Sequence, residues 1–254
     1  MLREALRAPL EWKPRLFFLG QAGFALQNSR GKWLLVDPYL SDCVRKLEGH
    51  EGYKRLFFPP VGPGEMPADV IVATHHHYDH YDKDSMPFLM RPGTRLFAPR
   101  DCEELVRQNG LNPQQVGYVA PGCREEAAGF SLHFISCDHG EGAPLAVGLI
   151  VSFDGFRLLF VGDSCFRQDY LTEYLSEGTP DVMAAPINGA YGNLDWQECA
   201  RLGALVRPKL LIPCHFGLFA SHGGRPDLFY EEMTRHFPEQ PFLMMAPGEE
   251  WVLR

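Results

Sequence analysis

Short apolar runs punctuated by glycine and proline recur along the whole chain, the pattern of many brief elements joined by turns. Near the start, residues 15–19, 23–27 and 32–36 read as strands, with a turn at Gln21-Ala22 joining the first two. Residues 39–66 carry charges and the stretch FFPPVGPGEMP, and no regular element is expected there because Pro59, Pro60, Pro63 and Pro67 interrupt it. Then comes a continuous β-branched run at 69–73, the mark of a strand buried on both faces, followed at once by THHHYDHYD. A short helix near 85–90, a strand at 95–98 and a helix from Asp101 follow. The Asp101 side chain can cap that helix, and Glu103 and Glu104 suit its first turn.

The second half returns to strands at 130–136, 146–153 and 156–161, the last two joined at Asp154-Gly155 as a hairpin. A helix is predicted around 168–176, a strand at 181–185, and a helix from Asp195 to about Val206, with Glu198 placed for a capping box. Residues 209–213 form another strand, 226–236 a helix, and 242–246 and 251–253 closing strands. Strands dominate both halves and each half carries helices. The fold class is therefore α/β (α+β), two sheets packed face to face with helices outside.

Composition supports a large packed core: the chain has 254 residues, 45% hydrophobic and 22% charged. One domain over 1–254 is expected. The net charge of -8 argues against a surface built to attract nucleic acid or anionic lipid. Seven cysteines, without a Cys-x-x-Cys pair, fit free thiols in a reducing compartment. The N-terminal segment mixes acidic and basic residues and reaches Pro9 early, unlike a signal peptide, and no run approaches the roughly 20 apolar residues of a membrane span. A cytoplasmic location is expected.

The chemistry concentrates at one strand end. His75, His77, Asp79 and His80 stand in the order H-x-H-x-D-H. In extended backbone, residues two apart point to the same side, so His75 and His77 can converge on one metal while a turn lets Asp79 and His80 face a second. Without a metal, each of these groups at a buried strand end would need its own hydrogen-bond partner. His76, pointing away from the other two, reads as a neighbour of the site or as exposed. Further ligands must come from other strand ends, and His139 (SCDHGEG), Asp163 (FVGDS) and His215 (IPCHFG) each follow a predicted strand. Asp37, before Pro38, is either a partner for a ligand histidine or a turn residue.

This ordered set resembles the metallo-β-lactamase superfamily over nearly the whole chain. FLGQAGFAL, LLVDPYLSD, PADVIVATHHHYDHYD, FVGDS and LLIPCHFGLF are similar to its L-ascorbate-6-phosphate lactonase branch, although His139 follows the general superfamily pattern more closely. The resemblance implies a four-layer αββα sandwich with the site at one edge. It also implies two divalent metal ions, one held by His75, His77 and His139, the other by Asp79, His80 and His215, with Asp163 bridging. Imidazole and carboxylate ligands suit zinc best, and a carboxylate bridge also admits manganese or iron.

The expected activity is hydrolysis by a metal-bridging hydroxide, oriented by Asp79, of a small lactone or related ester, phosphorylated or not. A phosphodiesterase of the nuclease or phospholipid-cleaving type is the rival enzyme, and a non-catalytic metal-binding or sensor protein the rival class. No Gly-x-Ser-x-Gly elbow is present, so Ser164 is not read as a nucleophile. Substrate contacts are expected from Asn188 and Tyr191 in NGAYGNLD, and from His222 and Arg225 before the helix at 226–236, where a guanidinium and free backbone N–H groups favour an anion. The expected partner is a small-molecule substrate, with no nucleic acid and no membrane; a homo-oligomer is compatible with the sequence.

Overall fold

The computed structural model describes residues 1–7 and 13–254, so Pro9, cited above against a leader segment, lies outside the described residues. The first half builds α1 (Leu2–Ala5), β1 (Arg15–Gly20), β2 (Gly23–Gln27), β3 (Trp33–Val36), α2 (Cys43–Glu48), β4 (Val70–Val72), α3 (Met86–Leu89), β5 (Arg95–Pro99), α4 (Glu103–Gln108) and β6 (Val116–Val119). The second half builds β7 (Arg124–Ala127), β8 (Phe130–Ser136), β9 (Val147–Phe153), β10 (Phe156–Phe160), α5 (Leu171–Tyr174), β11 (Val182–Pro186), α6 (Trp196–Val206), β12 (Leu210–Cys214), α7 (Pro226–His236) and β13 (Glu250–Val252).

Seven strands form one sheet in the order β13-β1-β2-β3-β4-β5-β6, and six form the other in the order β12-β11-β10-β9-β8-β7. Each sheet is antiparallel in part and parallel in part: β3 to β6 run parallel in the first, β10 to β12 in the second. The sequence explains the layering. Along β1, Leu16 and Phe18 enter the core between the sheets, while Phe17 and Leu19 lie under the outer helices. Strands covered on both faces need apolar residues at every position, hence the continuous runs. Rings cross the gap directly, with Phe24 and Phe160 at 5.4 Å between centroids. Residues of α1, α3 and α4 pack on the outer face of the first sheet, and residues of α5, α6 and α7 on that of the second. The result is the expected αββα sandwich, each buried Leu or Phe stabilising it by roughly 1.5–3 kcal/mol.

Four local expectations are corrected. The 39–66 segment holds α2, because its prolines begin only at Pro59 and Gly49, at φ +64°, ends the helix in the left-handed conformation. Asp101 does not cap α4; it sits in a 3-10 turn and binds His76 instead. Both β6 and β7 escaped the sequence pattern, since β7 is a charged edge strand whose backbone pairs with β8. Of 242–246, Phe242 makes an isolated bridge to Leu211 and no strand forms, Pro241 and Pro247 standing on either side. The Asp195–Glu198 capping box forms as predicted. No helix among the described residues is long and apolar enough to cross a membrane.

Candidate metal centre

Polar side chains gather beyond the C-terminal ends of β3, β4, β8, β10 and β12, at one edge of the sandwich. After β4 the chain carries His75 and His77, then turns tightly, the amides of His80 and Tyr81 both donating to the His77 carbonyl at 3.0 and 2.8 Å. That turn separates Asp79 and His80 from the first two histidines. Three sets of candidate donor atoms each fall within 4.8 Å of one another: His75, His77 and His139; His75, His80 and Asp163; Asp79, His80 and His215. All seven residues named from the sequence are thus brought together.

Their geometry asks for cations. His77 Nδ1 lies 2.9 Å from His75 Nε2 and 3.2 Å from His139 Nε2, so three imidazole nitrogens face one spot. His80 directs Nδ1 to Asp37 at 2.8 Å, while its buried Nε2 has no hydrogen-bond partner among the described residues. That orphaned nitrogen stands 3.3 Å from Asp163 and 3.7 Å from Asp79. His215 Nε2 is 3.0 Å from Asp163 and 3.4 Å from Asp79. Converging imidazole nitrogens, one of them unpartnered, beside two carboxylates form a donor set that fits divalent metal ions.

Charge divides these histidines into two kinds. Burial, with His80 beside it, holds His75 well below the usual imidazole range; burial likewise takes His77 down to about 4 and lowers His139. Neutral imidazole is the form a metal needs. Burial also opposes charge on His80 and His215, but Asp163 and its neighbouring carboxylates win, raising His80 well above 6.5 and His215 to about 9. In turn, although burial resists it, His80 and His215 hold Asp79 and Asp163 well below the usual carboxylate range. The carboxylate pair therefore draws positive charge, which protons on His80 and His215 supply when no metal does.

Several side chains support these donors, most of them without a clear sequence signal. Gln21, buried in the turn between β1 and β2, donates from Nε2 to Asp79 at 2.9 Å, and its carbonyl accepts from the His215 amide at 2.6 Å. Asn193 donates from Nδ2 to Asp163 at 2.8 Å and to Asn188 Oδ1 at 3.1 Å. Asp37 fills both readings offered for it: at φ +46° before Pro38, it accepts from the Thr74 amide and hydroxyl as well as from His80. Asp82, also buried, ties Leu40 and Ser41 to Ser85, fastening the segment after β3 beneath the motif. Gln21, Asp37, Tyr191 and His215 all adopt positive φ without being glycine, and such backbone strain commonly collects at functional sites.

A cleft of about 970 Å³ opens over these groups. Tyr191 and His222 line it. The His222 ring stands 5.8 Å from that of His215 and 4.6 Å from Phe219, and the Tyr191 hydroxyl is 3.3 Å from that of Tyr53. The other two expected contacts are not in the wall. Asn188 is buried beneath it, holding Asn193 rather than a substrate. Arg225 is exposed and paired with Asp227 at 2.6 Å, because a carboxylate two residues on is a nearer anion than anything in the cleft. His76 lies at the rim, bonded to Asp101. Ser164 is fully buried and hydrogen-bonded to backbone groups of Asp138 and Cys165, which fits its dismissal as a nucleophile.

Residues 15–215 match a family described as a beta-lactamase superfamily domain. In sequence the chain is similar to a protein of Aeropyrum pernix named a metal-dependent hydrolase, 26% identical over 93% of this chain and 96% of that protein. In structure it is similar to a metallo hydrolase of Ignicoccus hospitalis, with a TM-score of 0.72 at 20% identity over 95% of this chain and 99% of that one. An isothiocyanate hydrolase from Delia radicum gut bacteria gives 0.75 at 17% identity, over 94% and 98% of the two chains. At these identities the structural likeness is one of fold.

Proposed function

The chain belongs to the beta-lactamase superfamily, and on that basis we propose that it is a metal-dependent hydrolase of a small lactone or related carboxylic ester. The observation that carries this reading is the meeting of seven donor side chains from two sheets, five of which line one cleft. In this reading His75, His77 and His139 would hold one divalent ion, Asp79, His80 and His215 would hold a second, and Asp163 would serve as a ligand to the pair. Zinc is the ion this donor set suits best, with manganese and iron also compatible with the carboxylates. Bound there, divalent ions supply Lewis acidity, lowering the pKa of water and polarising a carbonyl.

The chain's own residues do the rest. Gln21 fixes one oxygen of Asp79, leaving the other to accept a hydrogen bond from an incoming water and orient it. Asn193 fixes Asp163 in the same way from the other sheet. Tyr191 and His222 offer hydrogen-bonding groups in the wall to position the substrate. Closed metal sites are structural and open ones catalytic, so the cleft supports an enzyme over a metal-binding sensor. Its volume is that of a small-molecule site. The lactonase-branch motifs favour a cyclic ester, and the relative named a metal-dependent hydrolase favours hydrolysis. Seven free thiols support a reducing, cytoplasmic setting.

The test is an assay of protein loaded with zinc, manganese or iron against lactones, carboxylic esters and phosphodiesters. The reading expects lactone or ester hydrolysis that chelation abolishes and added metal restores. Turnover confined to phosphodiesters, or none from fully loaded protein, contradicts it.

A further inference from the structure

The charged groups around the cleft, outside the metal-centre residues, are all of one sign. Glu48, Asp101, Glu104, Asp138 and Glu141 line it, and among the described residues no lysine or arginine does. Three of these acids are already engaged: Asp101 with His76, Glu104 with Arg107, and Asp138 with Arg167. Glu48, at the end of α2, and Glu141, in the 3-10 turn Gly140–Gly142 after β8, are exposed and have no ion-pair partner among the described residues. They come from different halves of the chain, and both reach the same cleft.

Independently, the wall carries phenol rings. Tyr53, Tyr78 and Tyr191 line the cleft, and the Tyr53 and Tyr191 hydroxyls approach to 3.3 Å. Aromatic faces attract cations through the ring quadrupole, and most strongly ammonium groups, whose positive charge is spread over an apolar surface. Away from the metal centre, unpaired carboxylates repel a phosphate placed beside them and attract the ammonium. The helix-end arginine that could have anchored a phosphate is paired with Asp227 outside the cleft.

We propose that the cleft selects esters or lactones bearing a cationic ammonium group away from the scissile carbonyl, held by Glu48, Glu141 and the three tyrosines, over those bearing a phosphate at that position. This rests on the hydrolase reading above and narrows it, setting aside the phosphorylated lactone that the sequence motifs suggested. Hydrolysis breaks the acyl C–O bond and adds one water, leaving a carboxylate, a proton and, for an ammonium ester, an ammonium-bearing alcohol.

The experiment uses metal-loaded protein in two arms. Calorimetry compares binding of choline with that of its uncharged carbon isostere, in the wild type and in the Glu48→Gln/Glu141→Gln double variant. Kinetics compares the butyrate esters of choline, of the uncharged isostere and of glycol phosphate. The expected result is choline binding about tenfold or more tighter than the isostere, a margin that shrinks with added salt and collapses in the double variant. The kcat/KM order should be cation, neutral, anion. Equal binding of choline and isostere, a margin untouched by the double variant, or faster turnover of the phosphate ester overturns the proposal. If no ester is hydrolysed while choline binding behaves as stated, the hydrolase reading falls and the charge selection stands; hydrolysis without charge order gives the reverse.

Discussion

The two halves of the chain reach the same edge by opposite means. The first half delivers four candidate ligands, His75, His77, Asp79 and His80, from one short stretch after β4. The second delivers three, one each after β8, β10 and β12: His139, Asp163 and His215. Neither half holds a complete site. Every set on which an ion is proposed draws on both, so the centre joins the two sheets across their common edge. The difference teaches that a dense motif fixes where a site begins, while its completion depends on how far-apart strands are stacked.

The strongest way to break this comparison is to remove the residue common to both proposed ions. Asp163→Asn replaces a two-oxygen anion by a neutral amide, and ester hydrolysis should fall at least about 100-fold with the circular dichroism spectrum unchanged, since several kcal/mol of charge stabilisation rest on the centre. Near-normal turnover would show that the second half contributes no bridge. A smaller effect should come from the supports, one from each half. Gln21→Ala and Asn193→Ala should each weaken metal affinity by about 10- to 100-fold, as loss of a hydrogen bond to a ligand usually does. A competitive chelator titration measures it, and an effect in only one variant would make one half dominant.

Acidity sharpens the division further. In metal-free protein, His215, raised to about 9, contributes stability that is fully present below 6.5 and is lost as pH rises through 9. His77, lowered to about 4, acts oppositely: the unfolded chain binds its proton first, so stability falls as pH drops from 6.5 toward 4. The melting temperature of metal-free protein should therefore peak near 6.5 and fall on both sides. A steady rise from pH 5 to 9 would contradict the assignment of charge. Metal affinity should fall in acid only below the 6.5 of an unperturbed histidine, because burial keeps His75, His77 and His139 neutral.

The smallest effect is expected at Arg225. With its guanidinium exposed and bound to Asp227, Arg225→Ala should leave metal content and turnover unchanged and alter stability by less than about 0.5 kcal/mol. A rise in KM for an anionic substrate would return the arginine to the cleft.

These cases also show what was legible in the chain. The runs at β1, β4, β9 and β12 are apolar at nearly every position, so strands buried on both faces could be read directly, and with them the strand ends where chemistry must sit. The capping box at Asp195 is purely local and formed as read. By contrast β7, Arg-Glu-Glu-Ala, owes its strand conformation to pairing with β8, which no local pattern announces. Gln21 looked like a turn residue because its contact with Asp79 spans 58 positions. Asn188 and Asn193 lie in one stretch flagged for substrate contact, but only packing shows that they brace Asp163. Arg225 pairs with Asp227, an anion two residues away that a helix start does not announce.

Metal stoichiometry tests the central claim most directly. Elemental analysis of the folded wild-type chain, expressed with supplemented zinc, should give about two ions per chain, and His139→Ala and His215→Ala, one from each proposed set, should each lower the content by about one. A folded wild-type protein without metal, or a metal content that neither substitution changes, would contradict a centre shared between the two sheets.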